Sequence, residues 1–320
     1  MYCKDRQLKF TKEYNIIDTL ACEAEESCCD VQPFAGHFMW RAEEFKHLFV
    51  QAGMPSWGQV LEVGCGNAFN AALIARFAEK VYATDLQRMD QSTESPGIEK
   101  AGCLLKKLSI NNCSLISSDA QQLPFKDNLF DVVYSNYTLE HVHNKSLAVR
   151  EMIRVVKPGG SIFATVPNFV ERLTYIPLYY AYVLRRSFYH IGKRCRGFSQ
   201  KKTPQKDMQN GIVSIMDPRI AWKGNPNFPF PDIHGQYRSF RHELVSSSFP
   251  TWSGLFDKKQ VRIKKIFTTI SIPWHLISLI HPKLPLWVYK KSHIVQRKLG
   301  AVPVLNLLGH NLVLQYVKES

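Results

Sequence analysis

The block Val60-Leu61-Glu62-Val63-Gly64-Cys65-Gly66-Asn67-Ala68 runs a short apolar strand into two glycines just ahead of a helical stretch. Lacking Cβ atoms, Gly64 and Gly66 let the backbone turn tightly and approach a ligand closely. Asp85 stands at the end of the next apolar run, 19 residues beyond Gly66, where a carboxylate can accept both hydroxyls of a ribose. Each feature alone also suits a tight turn or a strand end. Glu62, two residues before the first glycine, makes the set more discriminating. A nicotinamide dinucleotide site would place a third glycine three positions after Gly66, and Phe69 stands there instead. Asn136 closes a later strand and His141 follows it; imidazole is the side chain suited to taking a proton near neutral pH.

These residues need an alternating frame to bring them together. Short apolar runs at 59–63, 81–84, 114–117, 129–135 and 161–166 read as strands. Helical patterns at 38–49, 71–78, 98–108 and 147–156 lie before or between them, and Lys157-Pro158-Gly159-Gly160 is expected to stop the last one. Strand–helix alternation with short connections implies a parallel sheet covered by helices. Regularity returns at 261–271 and 311–317, two further strands that would complete a seven-stranded sheet. The fold expected is therefore α/β, a Rossmann-like, mostly parallel seven-stranded sheet with helices on both faces and a large insertion after the fifth strand. The chain divides into an N-terminal arm (1–37), a core (38–167), a basic, aromatic-rich cap (168–260) and the last strands (261–320). Residues 1–30 are polar without evident periodicity and read as a loose arm.

Segment 60–166 resembles the class I S-adenosylmethionine-dependent methyltransferases, in particular the type 11 group that includes ubiquinone/menaquinone-type enzymes. Their first motif, an acid followed by three alternating glycines, is matched by Glu62, Gly64 and Gly66, with Ala68 in place of the third glycine. Asp85 matches the acid at the second strand, and Asp119-Ala120 the acid–alanine pair near the adenine. Leu123-Pro124-Phe125, Phe130-Asp131-Val132-Val133, Leu139-Glu140-His141-Val142 and Lys157-Pro158-Gly159-Gly160 follow in the family's order, over roughly a third of the chain. The resemblance implies S-adenosylmethionine as cofactor. Gly64, Cys65, Gly66 and Asn67 would pass its methionine portion, Asp85 and Leu86 its ribose and adenine, Asp119 and Ala120 the adenine amino group. Asn136 would lie near the sulfonium, and no metal is implied.

Methyl transfer from a sulfonium is an in-line displacement, so the enzyme chiefly aligns nucleophile, methyl and leaving sulfur. His141 is the candidate general base, or it shapes the cofactor site instead. The stretch Pro231-Asp232-Ile233-His234-Gly235-Gln236-Tyr237-Arg238, with Glu243-Leu244 and Trp252 to Phe256, resembles methyltransferases of bacterial surface-polysaccharide gene groups. That resemblance implies that His234, Tyr237 and Arg238 face the acceptor; the same residues could equally form a packed loop. It makes O-methylation of a sugar, glycolipid or other small molecule the expected reaction.

Charge separates the two halves. Residues 1–170 carry 17 Lys and Arg against 20 Asp and Glu, whereas residues 171–320 carry 24 against 7. The basic half would attract an anionic partner, such as a phosphate-bearing acceptor, a membrane surface or RNA. Tyr175 to Arg196 interleaves tyrosines with arginines and could rest on anionic lipid headgroups or stack on rings. Base methylation of nucleic acid is disfavoured, because the fourth strand ends Ser135-Asn136-Tyr137 and no Pro-Cys pair occurs. Ribose methylation of RNA needs neither motif and stays open, as does a non-catalytic partner subunit with the cofactor fold. Eight cysteines without a C-x-x-C pair read as reduced thiols. With no secretory leader pattern and no run of 18 apolar residues, the expected place is the cytoplasm, peripheral to the membrane at most.

Overall fold

The computed structural model describes residues 11–28, 37–52, 57–86, 97–170, 172–173, 176–177, 180, 233, 235–269, 309 and 311–320. Helices α1 (Thr11–Ser27) and α2 (His37–Ala52) precede strand β1 (Gln59–Val63), and the alternation continues through α3 (Phe69–Ala75), β2 (Lys80–Asp85), α4 (Gly97–Lys107) and β3 (Cys113–Ser117). Strand β4 (Phe130–Asn136), a 3-10 turn (Leu139–His141), α5 (Lys145–Val155) and β5 (Val156–Pro167) follow. The remainder supplies α6 (Phe240–Ser246), α7 (Phe249–Ser253), β6 (Val261–Thr268) and β7 (Asn311–Lys318).

The strands form one sheet in the order β3-β2-β1-β4-β5-β7-β6. All pairings from β3 to β5 are parallel, and the two antiparallel pairings are those that β7 makes with β5 and β6. The sheet is thus Rossmann-like and mostly parallel, with one reversed strand. Its order turns back at β1 and β4, so β1 runs on to β2 at one side and β4 to β5 at the other. Such a reversal opens a crevice at the carboxyl ends of the strands.

Period-two alternation along each strand divides the core between two layers. Val60, Val81, Val132, Phe163 and Val313 pack with residues of α1 to α4, among them Ile17, Phe38, Phe69 and Leu104. Leu61, Val63, Val133, Ile162, Leu314 and Tyr316 face the other way, against Ala148, Val149 and Met152 of α5 and Trp252 of α7. Burying a large apolar side chain contributes about 1.5–3 kcal/mol, and apolar side chains fill both faces. Asp131 fixes the register of β1 against β4, its carboxylate accepting from the Gln59 amide (2.8 Å) and from Lys157 (2.6 Å). Arg154 pins the chain that enters β4 by donating to the Leu123 and Phe125 carbonyls and pairing with Glu151 and Asp127.

Three expectations need correction. Residues 11–27 form a helix rather than a loose arm, because Tyr14, Ile17, Leu20, Ala21 and Ala24 make an apolar stripe buried against α2. The Glu25 side chain holds the pair together by accepting from the Phe38 amide (2.9 Å) in the first turn of α2. Helix α5 does stop at Val155 ahead of the Lys-Pro-Gly-Gly stretch, but that stretch lies inside β5, which begins at Val156 rather than Ser161, across a register shift opposite Phe130 and Val132. Strand β6 ends at Thr268, short of the expected Ser271.

Candidate active site

The turn after β1 takes the conformation its glycines permit. Gly64 and Gly66 have φ of 75° and 53°, in the left-handed region that glycine enters without steric cost. The same region is forced on Ala68 (φ 61°), the residue in place of a third glycine, at the head of α3. Gly64 also lies under Thr138, whose Oγ1 donates toward the carbonyls of Val63 (3.2 Å) and Gly64 (3.1 Å). Thr138 therefore clips the chain leaving β4 onto the turn leaving β1, across the crevice.

Asp85 ends β2 beside this turn. Its Oδ2 accepts from the Gly66 amide at 2.6 Å, and its Oδ1 from the Leu86 amide at 2.7 Å. The carboxylate is half-buried, and the Leu86 side chain after it is exposed. The Ser118 amide donates to the Asp85 carbonyl (2.9 Å), drawing the β3 loop to the same edge. Asp119 in that loop is exposed, its carboxylate accepting from the Gln121 amide (2.8 Å), with Ala120 half-buried next to it. Asn136 is half-buried at the end of β4. Gly64, Gly66, Asn67, Asp85, Leu86, Asp119, Ala120 and Asn136 thus gather at the carboxyl edge, as their spacing implies. Glu62 and Cys65 keep their side chains buried, and Glu62 is fully enclosed. Burial first, then the Asp85 carboxylate, push the Glu62 carboxyl well above the usual range; Ala71, Asn70 and Arg41 partly oppose this.

A second group lies past β4. His141, in the 3-10 turn, is lowered to about 4 by burial and then by the positive charges of Arg172 and Lys145. The stretch from Gly235 to Glu243 docks on this turn. The Gln236 amide donates to the Glu140 carbonyl (2.8 Å), and a Cβ on Gly235 would meet that carbonyl at 2.7 Å. Lys145 Nζ sits 5.0 Å from the centre of the Tyr237 ring. The Tyr237 hydroxyl is buried without a hydrogen-bond partner among the described residues, and burial followed by Glu140 and Glu243 raises it. Arg172 pairs with the fully buried Glu243 of α6 at 3.2 Å. The structure therefore brings Tyr237 to the neighbourhood of His141, leaves Arg238 exposed, and does not describe His234.

Sequence reasoning missed a third group, on α2. The Arg41 guanidinium lies 4.4 Å over the Tyr137 ring and binds Glu44 at 2.6 Å. Glu44 also accepts from the Tyr137 hydroxyl (3.1 Å) and from Asn311 at the start of β7. Arg41 and Glu44 are one helical turn apart, and that spacing was the available signal. Among the described residues no cluster of His, Cys, Asp or Glu is placed to hold a metal, and no helix is long and apolar enough to cross a membrane.

A doubly wound sheet with a glycine turn after β1 and an acid closing β2 defines a nucleoside-cofactor α/β domain. Residues 61–164 match the family described as a methyltransferase domain. A demethylmenaquinone methyltransferase of Anoxybacillus flavithermus is 31% identical over 152 residues, 47% of this chain and 60% of that protein. One from Listeria welshimeri is 33% identical over 155 residues, 47% of this chain and 62% of that protein. The chain thus spans about three-fifths of the length of these curated relatives. Among solved structures, the YcgJ protein of Bacillus subtilis aligns with 88% of this chain and 99% of its own, at 15% identity and a TM-score of 0.44.

Proposed function

We propose that the protein is an S-adenosylmethionine-dependent methyltransferase that methylates a small, lipid-borne acceptor, with a sugar hydroxyl of a glycolipid as the leading candidate. The observation that carries the cofactor assignment is the bond from the Gly66 amide to Asp85. It joins a turn open to close approach with a carboxylate suited to ribose hydroxyls. The residues present fit the cofactor: Gly64 and Gly66 turn through the left-handed region, and the Gly66 amide meets the Asp85 carboxylate at the strand ends. Gly64, Gly66 and Asn67 would hold its methionine portion, Asp85 the ribose, Leu86 and Ala120 the adenine faces, Asp119 the adenine amino group. Cys65 would contribute through its backbone, and Glu62 as a buried brace beneath the turn. Arg41, over Tyr137 at the end of β4, adds positive charge at the end that would receive the cofactor's carboxylate. Bound there, the cofactor supplies an electrophilic methyl group.

The acceptor side is built by the chain's own groups. His141 is neutral at physiological pH and can take a hydroxyl proton, although burial and its cationic neighbours make it a weak base. Asn136 and the Tyr237 hydroxyl would orient the acceptor, with His234 and Arg238 completing that face. In this reading residues 38–167 form the cofactor core, 168–260 a cap on the acceptor side, and 261–320 the strands that complete the sheet.

A second reading, methylation of a quinone ring carbon, draws on the names of the relatives, whose similarity spans less than half of this chain. Labelled cofactor, purified protein and a total lipid extract separate the two. Label recovered as a methyl ether after acid hydrolysis of glycolipid supports the sugar reading. Label on a quinone nucleus supports the other, and no transfer to any lipid fraction refutes a lipid-borne acceptor.

A further inference from the structure

An apolar surface lies just past the carboxyl end of β5, outside the groups considered above. Phe169 and Leu173 are 37% and 47% exposed, and Tyr180 is 40% exposed. All three positions are helical, and Phe169 and Leu173 lie one turn apart. Between the first two, Arg172 turns inward to its ion pair with Glu243. That pair fixes the segment to α6, beside the turn holding His141. Exposed Phe, Leu and Tyr side chains grouped in one short stretch are uncommon unless something covers them.

The sequence states the chemistry of the cover. From Leu173 to Lys206 the chain carries eight Lys and Arg and no Asp or Glu. Exposed aromatic and aliphatic side chains followed by an acid-free basic stretch match an anionic bilayer. An anionic bilayer offers an acyl boundary to apolar groups and headgroups to cations. An exposed ring with a polar tip, as on Tyr180, suits the interfacial depth. A folded protein partner would be expected to set carboxylates against so many cations, but it offers no reason for the apolar side chains to continue into a basic run.

We propose that the surface carrying Phe169, Leu173 and Tyr180 docks on an anionic lipid bilayer, holding the carboxyl edge of the sheet against the membrane. The proposal rests on the methyltransferase reading for its purpose, since a lipid-borne acceptor would then reach the crevice without leaving the bilayer. It stands apart from that reading in its test.

Full-length protein without cofactor is mixed with vesicles of phosphatidylcholine containing 30% phosphatidylglycerol, or of phosphatidylcholine alone, and separated by flotation. Preferential binding to the anionic vesicles is expected, falling at least tenfold between 50 and 500 mM salt as headgroup attraction is screened, roughly as surface-charge binding does. The double substitution Phe169→Ser/Leu173→Ser should weaken binding by about tenfold or more, on the scale of two partly inserted apolar side chains. Leu173→Trp should tighten it several-fold. Both positions are exposed, and unchanged melting temperatures identify variants that fold. Equal binding to both vesicle types, or no response to either substitution, overturns the proposal. So does binding to a 20-nucleotide RNA while vesicles are ignored, which would favour a nucleic-acid partner. Calorimetry with S-adenosylhomocysteine on the same preparation reports on the cofactor reading separately.

Discussion

Substituting Gly64 by alanine places a methyl group where Thr138 already stands. The backbone there has φ 75°, and the added Cβ would lie 2.2 Å from both Cγ2 and Oγ1 of Thr138 and 2.7 Å from its Cβ. The left-handed conformation costs alanine about 1–2 kcal/mol. Overpacking against a neighbour held by hydrogen bonds adds about 1–3 kcal/mol. The expected loss is about 3 kcal/mol, or roughly 4–5 °C in Tm for a chain of this size. Thr138→Ala alone should cost about 1 kcal/mol for its lost hydrogen bonds. In the double variant the clash shrinks but does not vanish, because the residue-138 Cβ remains. The two changes should therefore fall short of additivity by about 1 kcal/mol. Denaturant titration of the four proteins measures this. Additivity within 0.3 kcal/mol, roughly the scatter of independent sites, would show that Thr138 does not press on the turn and would refute the clip across the crevice.

Three further outcomes are expected. Asp85→Ala should weaken S-adenosylhomocysteine binding by about a hundredfold, two hydrogen bonds to a charged acceptor being worth about 1.5 kcal/mol each; calorimetry that finds equal affinity removes the ribose assignment. The His141 pKa is lowered from 6.5 to about 4 in the fold, so the unfolded chain takes the proton first. Its contribution is intact above pH 6.5 and lost as pH falls toward 4, by about 3 kcal/mol at the bottom. Denaturant titrations across that window should show a shallower decline for His141→Gln, and an identical decline would mean that the imidazole is not buried among cations. Glu44→Ala should cost about 3 kcal/mol, because it strips Arg41 of its ion pair and Tyr137 and Asn311 of their acceptor; a thermal melt within 2 °C of the parent contradicts that network.

The sheet was legible because each strand carries its own signal. Short apolar runs at 59–63 and 81–84 end at Gly64 and Asp85, the run at 114–117 ends at serines, and the structure places strands at all three. The common edge of the residues expected to meet the cofactor was legible for the same reason: each lies within a few positions of a strand end, and the topology brings strand ends together. Helix α1 was missed because Asn15, Asp18, Thr19 and Glu23 interrupt the apolar positions Tyr14, Ile17, Leu20 and Ala24, although that spacing is helical. Arg41 and Glu44 show the one-turn spacing of a helical pair, but the network they join was illegible for a different reason. Glu44 meets Tyr137 and Asn311, 93 and 267 residues further along, and no local pattern announces partners so distant. The tetrapeptide at 157–160 read as a stop for the preceding helix, and the helix does end there. Its glycines serve the next strand instead, since a Cβ on Gly160 would meet the Asp131 carbonyl at 2.9 Å.

Strand β7 has a consequence for biosynthesis. It lies between β5 and β6 and is the neighbour to which β6 bonds, yet it follows both in the chain. A nascent polypeptide emerged only as far as residue 269 holds two raw borders with nothing to bridge them. It also lacks Asn311, the anchor that Glu44 reaches across the domain. Pairings so remote in order form slowly and leave sticky borders waiting. Until β7 slots in, a growing chain leaves the open border of β5 exposed to wrong pairing with another chain.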